Sequence, residues 1–447
     1  MKLLIYGLNF APELTGVGKH TGDMAAWLAQ RGHQVRVVTA PPHYPAWQIT
    51  PGFKNGYSTS TGATTVYRCP LWVPSKSGGV KRLMHRASFA LSSLPVLLRQ
   101  VFWRPDVVWA AEPALLCAPA AVLVARLSGA RAWLHVQKFE LDEEADAAYK
   151  LGLLRSARVP GVLAALERWL MRRFDAVSTI SRRMHQRLLD KGVAPERTRM
   201  AINWVNMADF VLPSPAGVVA YRADLGADPD TVVALYSGNM GNKQGLELLA
   251  QIAGLCLGAV VPPNQKILFV FCGNGAGRAD LVARCQGLSN VRFLDLQPAA
   301  RLPDLLAAAD IHLLPQRDDA ADLVLPSKLT NMLASARPVV TTANLDTELA
   351  DVITGKAVAS AAVAANVALA GRSGLTSLPA ACGVVVPPGD AVAFAAAVQA
   401  LAADADRREQ LGAAGYLYAQ AHLDQDPVLM RFESELLALL PTAASKP

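Results

Sequence analysis

Residues 2–39 read KLLIYGLNFAPELTGVGKHTGDMAAWLAQRGHQVRVVT and contain one complete strand–helix–strand unit. Lys2–Tyr6 is a short apolar run that predicts a strand, Thr21–Gln30 has helical spacing, and Gln34–Thr39 predicts a second strand. A strand that is followed by a helix and then by another strand is typical of a parallel sheet with helices packed on it. The unit therefore predicts an α/β fold.

Two series of further strands are predicted on either side of a Pro- and Gly-marked stretch, residues 209–217. The first comprises Ala63–Tyr67, Val107–Ala110, Ala132–Val136, Ala176–Ile180 and Arg199–Ile202, and the second comprises Val232–Ser237, Lys266–Cys272, Val291–Leu294, Ile311–Leu314 and Val339–Thr342. Asp390–Leu440 is predicted to be almost entirely helical. We therefore predict two doubly wound domains that face a deep cleft, residues 1–210 and 211–425. Residues 426–447 are expected to form a C-terminal helix that packs on the N-terminal domain, and a tail.

The composition excludes several classes of protein. Of 447 residues, 52% are hydrophobic and 18% are charged, which excludes intrinsic disorder. The six cysteines form no CxxC pair and no cluster with histidine, so we expect reduced thiols and no structural zinc. The first residues lead directly into a strand, so no signal peptide is expected. The apolar runs are shorter than the roughly 20 residues that a membrane span needs.

Charge is distributed unevenly along the chain. Residues 1–210 hold 27 Lys and Arg against 14 Asp and Glu, whereas residues 211–447 hold 16 against 22. Between Asp23 and Asp106 there is no acidic residue. In residues 76–104, Lys and Arg alternate with apolar side chains in a helical pattern that Pro95 is expected to interrupt. We expect this segment to lie on an anionic membrane surface with Phe89, Leu97, Phe102 and Trp103 inserted. The alternative is that its apolar face is core.

Three glycine-rich loops follow predicted strands. Gly16 and Gly18 precede the first helix, Gly238, Gly241 and Gly245 follow Leu235-Tyr-Ser, and Gly273 and Gly275 follow Cys272. Ligands of parallel sheets bind at the carboxyl ends of strands, where glycine lets the backbone approach a phosphate. One such loop alone is equally well explained as a flexible connection, but three together favour a nucleoside diphosphate. No GxGxxG follows a strand directly, so a nicotinamide dehydrogenase is not supported.

Two further side chains are candidates for catalysis. Lys328 lies in Pro326-Ser-Lys at the start of a predicted helix that Ser327 can cap, and a cation gains nothing from the dipole at that end unless an anion binds beside it. His135 ends a predicted strand, although a single histidine is more often structural than catalytic. The acidic run 140–146 is explained as a solvated helix face, and we expect no required metal or other cofactor.

Taken together, six motifs resemble family-four retaining glycosyltransferases, whose GT-B fold consists of two Rossmann-like domains. These motifs are residues 6–19 (YGLNFAPELTGVGK), 39–45 (TAPPHYP), 134–137 (LHVQ), 178–181 (STIS), 236–247 (YSGNMGNKQGLE) and 325–331 (LPSKLTN). The resemblance covers nearly the whole chain and is shared in particular with members that act on lipid-linked intermediates of exopolysaccharides such as colanic acid.

The resemblance implies roles for named residues. His135 would contact the donor sugar and Lys328 the leaving diphosphate, both as catalytic residues. Donor-binding residues would be Gly16, Gly18, Gly238, Asn239, Lys243, Gln244, Gly273, Gly275 and Ser327 around the diphosphate, Asp295 and Leu296 near the base, and Asn331 near the ribose. The chain departs from the family pattern in three ways: Leu323 and Asn331 replace a Glu-x7-Glu pair, Asn239 replaces an Arg, and Lys138 replaces an Asp.

The implied activity is retaining, metal-independent transfer of a hexose, such as fucose, from a nucleoside diphosphate sugar to a polyprenyl-diphosphate-linked saccharide. A GDP-sugar is the favoured donor, and no nucleic-acid partner is expected. The enzyme would act at the inner face of the bacterial cytoplasmic membrane as a peripheral, cytoplasmic protein. A sugar-nucleotide 2-epimerase, which shares this fold, and a non-catalytic sugar-nucleotide-binding subunit remain as alternatives.

Overall fold

A computed structural model describes residues 1–13, 16–44, 46–74, 79–111, 115–139, 158–210, 215–241, 244–258, 265–317, 326–356 and 381–441. The chain divides into two compact units. Unit 1 comprises Met1–Ile202 together with the chain from Pro427 onward, and unit 2 comprises Asn203–Asp426.

Unit 1 is built on an eight-stranded sheet in the order β3-β4-β2-β1-β5-β6-β7-β8. The strands are Lys2–Tyr6 (β1), Gln34–Thr39 (β2), Ser58–Thr61 (β3), Thr65–Arg68 (β4), Val107–Ala111 (β5), Arg131–Val136 (β6), Ala176–Thr179 (β7) and Thr198–Met200 (β8). All pairs are parallel except β3 with β4, and Leu4 of β1 stands beside Arg36 of β2 and Val108 of β5. The carboxyl ends of seven strands therefore lie along one edge of the sheet.

The helices of unit 1 connect successive strands of this sheet. They are Gly16–Gln30, Gly79–Arg99, Ala118–Ser128, Arg158–Met171 and Arg182–Asp190, with 3₁₀ turns at Gln100–Trp103, Leu115–Cys117 and Pro195–Arg197. A further helix, Gln425–Ala438, follows the last strand of the chain and belongs to unit 1 from Pro427 onward. Helix 79–99 continues through Pro95, so the expected interruption there is wrong. Phe89 and Leu97 are fully buried, so the prediction that they insert into a membrane is wrong. Their side chains belong to the core because they lie on the face of the helix that packs on the sheet.

The C-terminal helix 425–438 packs on unit 1 by both apolar and polar contacts. The ring of Phe432 meets Trp133 with centroids 5.2 Å apart and Trp109 at 6.3 Å. The carboxylate of Glu433 accepts hydrogen bonds from Arg31 Nε at 2.8 Å and pairs with His33 Nε2 at 2.6 Å. The chain thus returns from unit 2 to complete the core of unit 1.

Unit 2 is built on a six-stranded, fully parallel sheet in the order β11-β10-β9-β12-β13-β14. Its strands are Thr231–Ser237 (β9), Lys266–Cys272 (β10), Val291–Leu294 (β11), Ile311–Leu314 (β12), Val339–Thr342 (β13) and Gly383–Val386 (β14). Its helices are Pro215–Asp224, Leu246–Leu255, Arg278–Arg284, Leu302–Ala308, Lys328–Ala334, Glu348–Ile353, Ala391–Ala403 and Ala405–His422, with 3₁₀ turns at Met207–Phe210 and Ala299–Arg301.

The central strand β9 shows why the sheet of unit 2 is covered on both faces. Every residue of β9 is buried. Val232, Ala234 and Tyr236 join the apolar cluster that contains helices 246–255 and 391–403, whereas Val233 and Leu235 join the cluster that contains helices 215–224 and 302–308. A strand that is buried on both faces has a continuous apolar sequence, as VVALY does here. The predicted α/β architecture, with parallel sheets between helices, is confirmed.

Candidate active site

His135 ends β6 of unit 1 in a buried hydrogen-bonded network. Its Nδ1 lies 2.8 Å from the hydroxyl of Ser178, its partner in register on β7. The same hydroxyl accepts the indole N–H of Trp133 at 2.7 Å, so its own proton is available to His135 Nδ1. Trp109 stacks on the imidazole with centroids 5.2 Å apart. Only 4% of His135 is exposed, and these three neighbours fix the plane of its ring.

Burial lowers the pKa of His135 to about 3. Burial also lowers the pKa of His20 to about 3, with smaller contributions from Lys19 and His135. Both rings are therefore neutral at pH 7. They can donate or accept hydrogen bonds to a bound molecule, but they do not supply positive charge to it.

The first glycine loop packs against a buried carboxylate. A Cβ on Gly18 would lie 2.9 Å from Cβ of Glu13 and would also meet its carboxylate oxygen. Glu13 accepts hydrogen bonds from the backbone N–H groups of His43 and Tyr44, both at 3.2 Å, and from Asn9 Nδ2 at 2.9 Å. Gly18 is thus required by contact with Glu13. Gly16 begins the helix with φ +64° and has open space around its Cα.

The glycine loops of unit 2 lie directly against each other. A Cβ on Gly273 would overlap the carbonyl oxygen of Gly238. A Cβ on Gly275 would lie 2.5 Å from the carbonyl oxygen of Met240. The backbone of Gly238 has φ +132°, and its N–H donates to the carbonyl of Cys272 at 2.9 Å. These glycines let the loops after β9 and β10 pack backbone against backbone, beside the start of helix 328–334.

Lys328 reaches across this surface and is held by three uncharged oxygens. Its Nζ donates to Tyr236 Oη at 2.6 Å, Gln244 Oε1 at 2.8 Å and the carbonyl of Asn239 at 3.2 Å. The ammonium also lies 4.1 Å from the centroid of the Tyr236 ring. A Cβ on Gly238 would lie 2.7 Å from Cε of Lys328, so this lysine can cross the loop only because residue 238 is glycine.

Within the described residues, Lys328 is a cation without a counterion. Burial lowers its pKa to about 7. In the part of the chain that the structure describes, no carboxylate pairs with it. A partly buried ammonium that is held by neutral oxygens favours an anion beside it.

The remaining predicted residues lie nearby or outside the described chain. Ser327 is exposed and its side chain makes no capping hydrogen bond, so the predicted cap is wrong; the residue is already in helical conformation, which turns its hydroxyl away from the free N–H groups. Asn331 lies one turn beyond Lys328 on the same helix. Asp295 and Leu296 follow β11, and the Asp295 carboxylate accepts Arg278 Nη2 at 3.0 Å. Lys243, Leu323 and the run 140–146 lie outside the described residues.

Three functional neighbours escape sequence reasoning. Ser178 orients His135, Glu13 organises the first loop, and Tyr236 supports Lys328. Each of the three lies within one of the six family motifs, but the resemblance implies no role for any of them. Among the described residues, no group of three or more His, Cys, Asp or Glu side chains is arranged to hold a metal ion, and none of the described helices could cross a membrane.

Comparisons with known proteins identify the family. A model described as "Glycosyl transferase 4-like domain" matches residues 15–204, and one described as "Glycosyl transferases group 1" matches residues 231–404. The colanic acid biosynthesis glycosyl transferase WcaI of Escherichia coli K12 is 44% identical over 355 residues, which cover 78% of this chain and 85% of WcaI.

Solved structures with low identity show the same fold. Sucrose-phosphate synthase from Thermosynechococcus elongatus matches with TM-score 0.69 at 14% identity, over 98% of each chain. HepE from Anabaena, in complex with UDP-glucose, matches with TM-score 0.65 at 14% identity, over 98% of this chain and 100% of HepE. Both are similar in fold, which is GT-B. The chain therefore belongs to the family-four glycosyltransferases of the GT-B fold, together with WcaI.

Proposed function

We propose that the protein transfers a hexose or deoxyhexose from a nucleoside diphosphate sugar to a polyprenyl-diphosphate-linked saccharide, with retention at the anomeric carbon, in the biosynthesis of a colanic-acid-like exopolysaccharide. The likeness to WcaI supports the pathway. A GDP-sugar is the favoured donor. Unit 2 would bind the nucleotide, and unit 1 would bind the acceptor.

The observation that carries the proposal is the ammonium of Lys328, which pairs with no carboxylate of the described residues and lies beside the packed glycine loops. As the glycosidic bond breaks, negative charge grows on the leaving diphosphate, and fixed cations and N–H donors stabilise it. Lys328 would supply that charge, together with Lys243 and the amides around Gly238. Gln244 and Asn239, which hold Nζ in place, would then position the cation. We propose that no divalent metal is needed, because the lysines take its role.

The surroundings of His135 favour attack on the same face as the leaving group. Among the described residues, the ring of His135 contacts Ser178, Gln137 and Trp109, and none of these is a carboxylate nucleophile for a double displacement. The neutral imidazole would hydrogen-bond a hydroxyl of the donor sugar and hold the anomeric carbon in place. This arrangement makes His135 a catalytic residue that acts by orientation.

The exposed side chains of helix 79–99 support binding to an anionic membrane. Leu83, Met84 and Leu91 are exposed on a helix that also carries Lys81 and Arg86, and Leu91 is 73% exposed. Phe102, just beyond this helix, is 89% exposed. Each basic side chain near an anionic leaflet contributes about 1 kcal/mol. Because a polyprenyl-linked acceptor stays in the bilayer, this surface would hold the enzyme at the inner face of the cytoplasmic membrane.

Thermal denaturation in the presence of GDP, UDP, dTDP and their sugars tests the proposal. A ligand at 100 times its dissociation constant stabilises the folded state by about 2.7 kcal/mol, so one nucleotide should raise Tm clearly above the others. The bound donor is then incubated with membrane lipid extract, with and without EDTA. The proposal predicts sugar transfer in both conditions. Activity that is lost in EDTA and restored by Mg²⁺ contradicts the metal-independent mechanism, and the absence of any nucleotide effect contradicts the donor site.

A further inference from the structure

A second group of polar and aromatic side chains lies in unit 1, in the chain after β2 and in the first turns of helix 79–99. The rings of His43 and His85 have centroids 4.9 Å apart, and Trp47 lies 5.2 Å from His85 and 6.5 Å from His43. The guanidinium of Arg82 lies 5.9 Å from the Trp47 ring. These four residues, His43, Trp47, Arg82 and His85, are called the aromatic cluster below.

The hydrogen bonds of the two histidines fix which nitrogen carries the proton. His85 Nδ1 lies 2.6 Å from the carbonyl oxygen of Trp72, and His43 Nδ1 lies 2.9 Å from that of Pro41. A carbonyl oxygen only accepts, so each Nδ1 must carry the hydrogen. Burial lowers the pKa of His85 to about 4, which keeps the ring neutral at pH 7. Each Nε2 is therefore left with a lone pair that accepts a hydrogen bond.

Two buried polar atoms of the aromatic cluster have no partner among the residues that the structure describes. His85 is 2% exposed, and its Nε2 has no hydrogen-bond donor; Nε of Arg82 has no acceptor. Native proteins rarely retain a buried polar group that has no hydrogen-bond partner. The cluster thus offers one acceptor and one charged donor to a molecule that is not part of the chain.

The backbone of Trp47 is also unusual. Its φ is +54°, a conformation that a bulky residue rarely adopts and that is concentrated at ligand sites. On the other side of the loop, Glu13 accepts the N–H groups of His43 and Tyr44, which ties the backbone before Trp47 to the first glycine loop. The loop is held in the conformation that presents the indole to the two histidines.

We propose that the aromatic cluster binds the sugar-phosphate end of the acceptor: a sugar hydroxyl donates to His85 Nε2, the C–H face of the ring packs on Trp47, and Arg82 binds a phosphate oxygen. This inference rests on the proposed function and names the acceptor subsite within it. The chemistry fits, since a sugar supplies the hydroxyl donor that His85 lacks and a phosphate is the preferred anion of a guanidinium. Helix 79–99 carries both Arg82 and the exposed Leu83 and Met84, so the same helix would meet the lipid and its phosphate.

Calorimetric titration with farnesyl-diphosphate-linked glucose, galactose, fucose and N-acetylglucosamine, in the absence of donor, tests the subsite. We expect at least one of them to bind the wild-type protein and to bind His85→Phe about tenfold more weakly, because Phe preserves the packing but removes the acceptor nitrogen. Trp47→Phe should weaken binding similarly and serves as the second variant if His85→Phe does not fold. His185→Phe, a partly buried histidine elsewhere in unit 1, is the control and should bind as the wild type does.

The outcomes separate this inference from the proposed function. Equal acceptor affinity in the wild type, His85→Phe and Trp47→Phe overturns the subsite. The subsite is also overturned if none of the four lipid-linked sugars binds the wild type. Farnesyl diphosphate without a sugar is the second ligand: if it binds as tightly as the sugar-bearing forms, the cluster recognises phosphate alone and the sugar contact is wrong. Nucleotide binding is measured on the same variants. Its absence from the wild type contradicts the proposed function, whatever the acceptor does.

Discussion

At the scale of single residues, burial sets the protonation of the two candidate catalytic residues, His135 and Lys328. His135 is neutral because burial lowers its pKa to about 3, and its ring is fixed by Ser178 and Trp109. Lys328 titrates near neutrality because it is buried against neutral oxygens. The first residue is suited to orient a sugar and the second to bind a growing negative charge.

The pKa of Lys328 predicts how donor binding depends on pH. In the free protein the ammonium loses its proton as pH rises through about 7, whereas a bound diphosphate favours the charged form. We therefore expect the affinity for a nucleoside diphosphate sugar to fall roughly 20-fold between pH 6.5 and pH 8.5, with proton uptake on binding at the higher pH. Calorimetry in buffers of different ionisation enthalpy measures both. In Lys328→Arg, whose guanidinium stays charged, affinity should not vary over this range; a wild-type affinity that is equally constant contradicts the role of Lys328.

His135→Ala tests the orienting role of the imidazole. We expect kcat to fall about 100-fold while the dissociation constant of the donor changes little, because the ring would act on the geometry of the sugar, whereas Lys328, the proposed cation for the diphosphate, lies in unit 2. Steady-state transfer and donor calorimetry give the two quantities. His185→Ala is the control. A loss of donor affinity as large as the loss of kcat would show that His135 only binds the donor.

At the scale of helices and strands, the sequence predicts what is buried and regular and misses what is exposed or locally irregular. Lys266–Cys272 and Val339–Thr342 are predicted with their observed bounds because both are rich in the apolar or β-branched residues that favour strands. The edge strand Ser58–Thr61 is missed, since all four of its residues are exposed and polar. At the site, the glycines and Lys328 follow from motif and strand position, whereas Tyr236 depends on a contact across 92 residues that no local pattern reveals.

The C-terminal helix 425–438 provides the prediction at this scale. Phe432 is almost fully buried and contacts Trp109 and Trp133, and Trp109 also stacks on His135. Phe432→Ala should lower the free energy of unfolding by about 3–5 kcal/mol through lost burial and the cavity left behind. Chemical denaturation measures it, with the exposed Met430→Ala on the same helix as control. A change below 1 kcal/mol would show that the helix contributes little to the core of unit 1.

At the scale of the whole molecule, part of the basic charge of the N-terminal half lies on a helix that also exposes apolar side chains. The basic residues that follow Asp23 include those of helix 79–99, which also carries exposed Leu83, Met84 and Leu91. The sequence predicts membrane insertion for Phe89 and Leu97, which is wrong because hydropathy does not distinguish an apolar face that packs on the sheet from one that is exposed. The structure assigns those two to the core and leaves the other face exposed.

Flotation with lipid vesicles tests this surface. The wild-type protein should bind vesicles that contain phosphatidylglycerol, and binding should weaken as salt is raised from 0.05 to 0.5 M, about the range over which screening removes surface attraction. The triple change Leu83→Ser, Met84→Ser and Leu91→Ser should reduce binding, whereas Met430→Ser with Leu437→Ser, exposed on another helix, should not. Binding that ignores lipid charge, or that survives the triple change, contradicts the membrane assignment.

The most direct test of the central claim is the turnover of Lys328→Ala in sugar transfer from the donor that the nucleotide screen identifies. Removal of one fixed group that stabilises developing negative charge typically costs about 100- to 1,000-fold in kcat. We expect a loss of that size with a Tm close to that of the wild type, and Lys356→Ala, a lysine of unit 2 that no motif includes, should leave kcat unchanged. Turnover by Lys328→Ala within a few-fold of the wild type would contradict the claim that this ammonium stabilises the leaving diphosphate.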